Sequence, residues 1–299
     1  MLDHFGRTIT YLRLSVTELC NLRCRYCMPA EGVCKKSHND MLTEEEMIRA
    51  VMASEELGIR KVRITGGEPL VKPNIISILE KTALVPGIEE LCITTNGTLL
   101  PEMAGDIKKA GVKNINISLD TLDPEKYNYI TRIGTLDRAL EGIRAAIRQN
   151  FEKVKINAVL IGGFNDDEIP ALCDLTRKYP IDVQIGRASC RESDPCSEAL
   201  KYDDGVASMY KFPGAPGNVG LINPLSAHFC ASCSRIRITA DGWVKPCLHK
   251  EAEYRIKGMD QEQMKQQIIK AIEQKPEWHG ALSSENRSMA GRNMNQIGG

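Results

Sequence analysis

The chain has 299 residues, enough to bury a large core as one barrel-like domain with an appendage or as two ordinary domains. Its 39 Lys plus Arg balance 39 Asp plus Glu, so no global field recruits nucleic acid or an anionic membrane, and any anion site has to be built locally. No apolar run approaches the ~20 residues that span a bilayer, and Asp3, Arg7 and Arg13 stand where a signal peptide would be apolar, which points to the cytoplasm.

In that reducing compartment, eleven cysteines argue for metal or cluster ligation rather than a disulfide framework. Residues 10–16 alternate as a strand and feed Cys20-Asn21-Leu22-Arg23-Cys24-Arg25-Tyr26-Cys27-Met28-Pro29, three thiols within eight residues. Each iron of a [4Fe–4S] cube needs one external ligand, so such a trio would hold three irons and leave the fourth open. A helical stripe of buried cysteines, or a zinc site closed from elsewhere, are the alternatives. Asn21, Arg23 and Arg25 interleave the thiols with polar groups, a poor pattern for a core face, and zinc sites usually pair Cys-x-x-Cys elements.

Thr43 opens a helix with Glu46 completing a capping box, and Met47, Ile48, Val51 and Met52 form its apolar stripe. Residues 61–64 read as a strand broken by Thr65-Gly66-Gly67-Glu68-Pro69, with a helix from about Asn74. The two glycines leave backbone groups approachable, and Glu68 would place a carboxylate near a ligand's ammonium; the bland alternative is a tight turn with a solvated Glu. Residues 91–95, 114–119, 154–161 and 181–185 repeat the strand pattern, with helices at 101–110, 136–147 and 169–179 between them. This alternation calls for a parallel α/β sheet with right-handed crossovers, an incomplete (β/α)6 TIM-like barrel, with a doubly wound open sheet as the alternative. In either, the C-terminal ends of the strands form the working face, where the cysteine loop and the Gly-Gly-Glu-Pro turn fall.

Residues 186–217 lose periodicity and read as loop. After an extended stretch at 219–222 comes Cys230-Ala231-Ser232-Cys233, a strand at 235–239, a turn at Asp241-Gly242 and a second strand that brings Cys247 back to the first two thiols. His228 or His249 would complete a structural zinc site here. Arg235 and Arg237 share one strand face, either solvated or aimed together at a phosphate chain. A helix covers 261–272, and a polar tail ends in Gly298-Gly299. The expected division is 1–217 for the barrel and 218–299 for a C-terminal cluster-binding appendage. Cys92 and Cys173 read as buried fillers, while Cys34, Cys190 and Cys196 are scattered.

Phe5-Gly6-Arg7, Tyr11-Leu12-Arg13, the loop of residues 20–29, the run from Arg63 to Pro69, Thr94-Thr95-Asn96-Gly97, Ser118-Leu119-Asp120, the second trio and the Gly-Gly end together resemble the GTP 3′,8-cyclase (MoaA) family. These are radical S-adenosylmethionine (SAM) lyases of molybdenum cofactor biosynthesis. The cysteine loop alone marks only the radical SAM superfamily. The resemblance implies two [4Fe–4S] clusters, one on Cys20, Cys24 and Cys27 and one on Cys230, Cys233 and Cys247, with SAM on the first beside Tyr26, Gly67 and Ser118. It implies GTP as substrate, contacted by Arg13, Arg63, Thr94, Lys155, Arg235 and Arg237, with its purine at the second cluster and Gly298-Gly299 reaching into the catalytic site. An external electron donor would cleave SAM to methionine and a 5′-deoxyadenosyl radical, which takes a hydrogen from C3′ of GTP. Closure onto C8 would give (8S)-3′,8-cyclo-7,8-dihydroguanosine 5′-triphosphate for a downstream cyclic pyranopterin monophosphate synthase. The chain would work as a monomer or homodimer, without nucleic acid or membrane.

One stretch departs from the family pattern. Where the family continues its sixth strand into a phenylalanine-isoleucine-glutamate run and a SAM-contacting methionine, this chain reads Gly186-Arg187-Ala188-Ser189, with Ser189 at the methionine position. Residues 190–200 match nothing in the pattern, and the stretch before Cys230 is shorter. Two rival functions follow. One is a radical SAM peptide-modifying enzyme with an auxiliary cluster, against which the arginine pair and the Gly-Gly end speak. The other is an inactive cluster- or nucleotide-binding relative, motivated by the altered 186–200 segment.

Overall fold

The barrel strands read apolar, polar, apolar, and the fold turns that alternation into an outside and an inside. The computed structural model describes residues 1–33, 36–186, 200–203, 207–222, 229–280 and 291–298. Its first half runs β1 (Tyr11–Ser15), α1 (Glu44–Glu56), β2 (Lys61–Thr65), α2 (Ile75–Ala83), β3 (Glu90–Thr95), α3 (Leu100–Lys109), β4 (Asn114–Ser118), α4 (Pro124–Thr131), α5 (Leu136–Arg148), β5 (Lys153–Val159), α6 (Ile169–Lys178) and β6 (Asp182–Gly186). The six strands lie side by side in chain order, all parallel.

Leu12, Leu14, Val62, Ile64, Ile93, Ile115, Ile117, Ile156, Val183 and Ile185 form the outer faces and are buried in one core with the helices. Each such burial contributes roughly 1.5–3 kcal/mol. A parallel sheet packed on both faces reads as continuous apolar runs. Here the intervening positions are Arg13, Arg63, Asn116, Lys155 and Gln184, which line a polar lumen instead of a second core. The capping box on α1 is present, and its Glu46 also accepts from Gly258 N at 2.8 Å, so one carboxylate starts the helix and fastens the C-terminal region to it.

The second half adds β7 (Leu200–Asp203), β8 (Ser208–Lys211), β9 (Val219–Ile222), β10 (Arg235–Ile238), β11 (Trp243–Lys245), β12 (Tyr254–Arg255), α7 (Gln261–Glu273) and α8 (Met294–Ile297). β9 runs parallel to β6 and β10 parallel to β1, so these strands extend both edges into one 12-stranded sheet that continues across the expected division at 217/218.

Three expectations are corrected. Part of the stretch read as loop is a hairpin, β7 antiparallel to β8. Its strands are too short for a visible period, and the edge of β9 supplies the pairing. The helix α4 was not anticipated; Asp123 caps it, accepting from Glu125 N at 2.8 Å and Lys126 N at 2.9 Å, with Pro124 at its first position, and Asp-Pro was the available signal. The tail is not merely polar, since α8 buries Asn295 and Ile297. Cys34, Ser189, Cys190, Cys196, His228 and Gly299 lie outside the described residues. Among the described residues no helix is long and apolar enough to cross a membrane.

Candidate active site

The first cysteine loop leaves the C-terminal end of β1 and is pinned on two sides. On the inner side, Gly67 N donates to Thr17 O and Glu68 N to Leu19 O, both at 2.8 Å. A Cβ at Gly67 would press on Leu19 O and lie 2.7 Å from Glu18 O, backbone atoms that cannot step aside, so this glycine serves the close approach of two chain segments. On the outer side, Arg23 N and Arg25 N donate to Thr131 O and Ile130 O at the end of α4, and Arg132 donates to the carbonyls of Arg23 and Met28 at 2.6 and 3.1 Å. The helix missed in the sequence is thus what holds the loop's outer edge.

Cys20, Cys24 and Cys27 are half-buried and line one cavity of about 310 Å³ with Gly66, Gly67, Thr94, Asn96, Ser118, Asp120, Met294 and Asn295. Tyr26 Oη donates to Asp120 Oδ2 at 2.7 Å, and Asp120 Oδ1 accepts from Val159 N at 2.9 Å, which closes one side. Burial pushes Cys24 up to about 12 and Cys27 up to about 11, so iron has to displace protons to bind there. Three thiols around a cavity that also holds the buried, unpartnered Thr94 Oγ1 fit a three-ligand cluster with a small polar ligand beside it.

Glu68 does not face this cavity's ligand as expected. It is 1% exposed and accepts from Asn96 N at 2.6 Å, Thr95 Oγ1 at 2.7 Å and Leu70 N at 3.0 Å, so it fastens the Thr-Thr-Asn-Gly turn after β3. Burial pushes its carboxyl from the ordinary 4.5 up to about 7, against those three donors. The folded chain therefore holds this proton more tightly than the unfolded chain. The stability that the protonated form contributes is complete below pH ~4.5 and is lost as the pH rises through about 7. Glu68→Gln is expected to flatten the pH dependence of thermal stability across that window, by at most roughly 3 kcal/mol. Melting curves of both chains at pH about 5 and about 8 check this, and parallel pH dependence in the two would refute it.

The lumen beneath is a second cavity of about 460 Å³, which shares Arg13, Asn157 and Val159 with the first and so continues it. Arg13 on β1 lies in register with Arg63 on β2 and Arg237 on β10, so three guanidiniums stand at one level, with Arg235 two residues below and Lys155 on the facing wall. Burial, together with Arg63 and Arg235, brings Arg13 down to about 10, and burial with Arg13 and Arg235 carries Arg237 well below its usual range. Burial alone would raise the Tyr11 phenol among them, but Arg63, Arg13 and Arg235 outweigh it and hold the group below its ordinary value. Such a concentration of positive charge is built for a polyanion. Arg237 differs from the other expected contacts in that it donates to the carbonyl of Gly298, which holds the tail.

Cys230 and Cys233 precede β10 and Cys247 follows the antiparallel β11, so the second trio sits at the N-terminal mouth of the barrel, opposite the first. Five-residue strands at ~3.3 Å per residue put roughly 17 Å between the mouths. Arg7, paired with Asp3 at 2.6 Å, donates to the carbonyls of Cys230, Glu277 and Pro276, which gives the Phe5-Gly6-Arg7 motif a purpose. The buried Lys275 donates to Arg235 O at 2.8 Å and Pro246 O at 2.7 Å. Burial would raise the Cys233 thiol, but Lys275 and Arg235 outweigh it and lower it. Burial, with His279 and Arg237, brings His249 down to about 4. Among the described residues no three His, Cys, Asp or Glu side chains converge as ligands of a single ion would. A cube distributes its thiolates over separate irons.

Comparison with known proteins places this geometry. The family model described as the radical SAM superfamily matches residues 14–176, and the one described as Molybdenum Cofactor Synthesis C matches residues 177–281. A GTP 3′,8-cyclase of Alkaliphilus oremlandii (strain OhILAs) is 46% identical with both chains covered in full, and one of Syntrophomonas wolfei is 41% identical, again over all of both. The chain belongs to the GTP 3′,8-cyclase family. The first of these alignments spans 321 positions against 299 residues, so at least 22 of them are gaps in this chain. The crystal structure of Streptococcus suis SuiB shares the fold, with a TM-score of 0.61 at 17% identity over 83% of this chain and 63% of that one. The fold is accordingly the incomplete (β/α)6 TIM-like barrel of the radical SAM type, and the cofactors of the family are [4Fe–4S] clusters and SAM. Lumen residues outside the resemblance, Lys61, Asn116, Asn157 and Gln184, were signalled by the polar half of each strand's alternation. Asn295 carried no such signal.

Proposed function

We propose that this chain cyclises GTP to (8S)-3′,8-cyclo-7,8-dihydroguanosine 5′-triphosphate with SAM, the first step of molybdenum cofactor biosynthesis. The reading is supported above all by one arrangement: a buried arginine group between two cysteine trios at opposite mouths of one lumen. Cys20, Cys24 and Cys27 would hold the cluster that carries SAM, with Tyr26, Gly67 and Ser118 around it, and Cys230, Cys233 and Cys247 the cluster that meets the purine. When bound, the first cluster with SAM supplies one-electron, hydrogen-abstracting chemistry.

The chain's own residues bind, orient and exclude water. Arg13, Arg63, Lys155 and Arg235 neutralise the triphosphate, and a nucleotide held at both ends across the lumen has its ribose fixed between the mouths. Thr94, whose Oγ1 is buried without a partner, offers the ribose or the cofactor a hydrogen bond. Arg237, the remaining GTP contact that the family resemblance implies, also holds the carbonyl of Gly298 near the end of the tail. Functionally we keep 1–217 as the SAM-binding part and 218–299 as the part bearing the second cluster and the tail. The reaction takes place in the cytoplasm, with an external electron donor and the product passed to a cyclic pyranopterin monophosphate synthase, in a monomer or homodimer.

The test is anaerobic: the iron-loaded chain with GTP, SAM and a strong reductant. A new product with the mass of GTP, formed only when SAM is present, is the expected result. Full iron loading with neither product nor GTP-dependent SAM cleavage would favour the inactive relative.

A further inference from the structure

The tail lines the C-terminal mouth, and one of its side chains is left with an unmet hydrogen bond at the cofactor cavity. Asn295 on α8 is 1% exposed. Its Nδ2 donates to Glu18 O at 3.0 Å, and this contact settles the orientation of the amide, because a flipped group would set oxygen against oxygen. The Oδ1 is buried without a hydrogen-bond partner, and the residue lines the cavity of the three loop cysteines. Buried carbonyl oxygens are rarely left unpaired, so the missing donor is sought among what the cavity binds.

The tail is also held firmly enough to present that oxygen. Arg292 reaches Asp241 at 2.8 Å and grips both oxygens of Glu253 at 2.7 Å, while Lys36 and Lys245 pair with the same two carboxylates. Arg237 holds the carbonyl of Gly298.

We infer that Asn295 is a binding residue for SAM, its Oδ1 accepting a hydrogen bond from the cofactor, so that the C-terminal tail and the cofactor stabilise one another in the site. The inference rests on reading this cavity as the SAM site. The donor is either the α-ammonium or a ribose hydroxyl, the two kinds of donor nearest the reacting end of such a molecule.

The experiment uses the full chain, anaerobically loaded with iron, and reads SAM affinity by equilibrium dialysis beside iron content and circular dichroism. Asn295→Ala is expected to weaken SAM binding about tenfold with iron and fold unchanged, the scale of one hydrogen bond to a charged or strongly polar group. S-Adenosylhomocysteine weakened while 5′-methylthioadenosine is unaffected assigns the ammonium; both weakened assigns the ribose. A parent chain that binds no SAM overturns both the site reading and this inference. A parent that binds SAM while Asn295→Ala binds it equally overturns the inference alone. Should Asn295→Ala lose iron or fold, Asn295→Leu decides: it keeps the volume of the side chain without the acceptor oxygen, so SAM binding about tenfold weaker than the parent's upholds the inference and parental binding overturns it.

Discussion

Cys24→Ser is expected to cut the iron content of the reconstituted chain from about eight to about four per chain and to abolish SAM cleavage, whereas Cys233→Ser should remove the other four and leave SAM cleavage detectable but without a cyclised product. The argument is geometric. The two trios sit at opposite mouths of the barrel, roughly 17 Å apart by strand length, so neither can lend a ligand to the other. Serine keeps the size of cysteine but is a poor ligand for iron. The first loop is anchored by backbone hydrogen bonds to Thr131, Ile130, Thr17 and Leu19, not by its thiols, so the fold should survive the change. Iron analysis and chromatographic measurement of SAM cleavage in both variants check it. A Cys233→Ser chain with unchanged iron, or zinc recovered from the second trio in the parent, would sink the two-cluster reading.

What could be read in advance depended on whether a residue's role is local. The strands were legible because each alternates with period two, and Thr43 with Glu46 announced a helix start that the structure keeps. The same alternation held the lumen: Arg13 and Arg63 occupy the polar positions of β1 and β2. What the spacing could not show was that β10 would join β1 in register, bringing Arg237 beside Arg13, because pairing between strands more than 200 residues apart leaves no local trace. Glu68 was misread for a similar reason. A carboxylate beside two glycines suggests a ligand contact, yet burial among donors from β3 made it a structural clasp. Arg7 and α4 act at a distance too, one on the second trio and one on the first.

The tail offers the sharpest separation of chemistry from folding, and Gly298→Ala is expected to lower cyclisation at least a hundredfold while leaving iron content and SAM binding close to the parent's and lowering the melting temperature by only a few degrees. Gly298 has φ +79°, in the left-handed region, where alanine costs about 1–2 kcal/mol. A Cβ there would collide with Thr65 Oγ1 and stand 3.3 Å from Ser15 Cβ, on the ends of two barrel strands that cannot retreat. The easier response is for the chain after Ile297 to lift while α8 stays seated. That takes the Gly298 carbonyl from Arg237 and leaves a buried guanidinium, in register with Arg13, without the acceptor that fixed it. The core loses little, because Ile297 is the one fully buried apolar side chain of α8, and the ion pairs of Arg292 with Asp241 and Glu253 stay in place upstream to keep Asn295 near the cofactor cavity. Product formation measured against iron content, SAM affinity and a melting curve checks it. A Gly298→Ala chain that cyclises GTP at the parental rate would make the tail a passenger in the reaction, and one that loses iron and stability together would make it part of the scaffold.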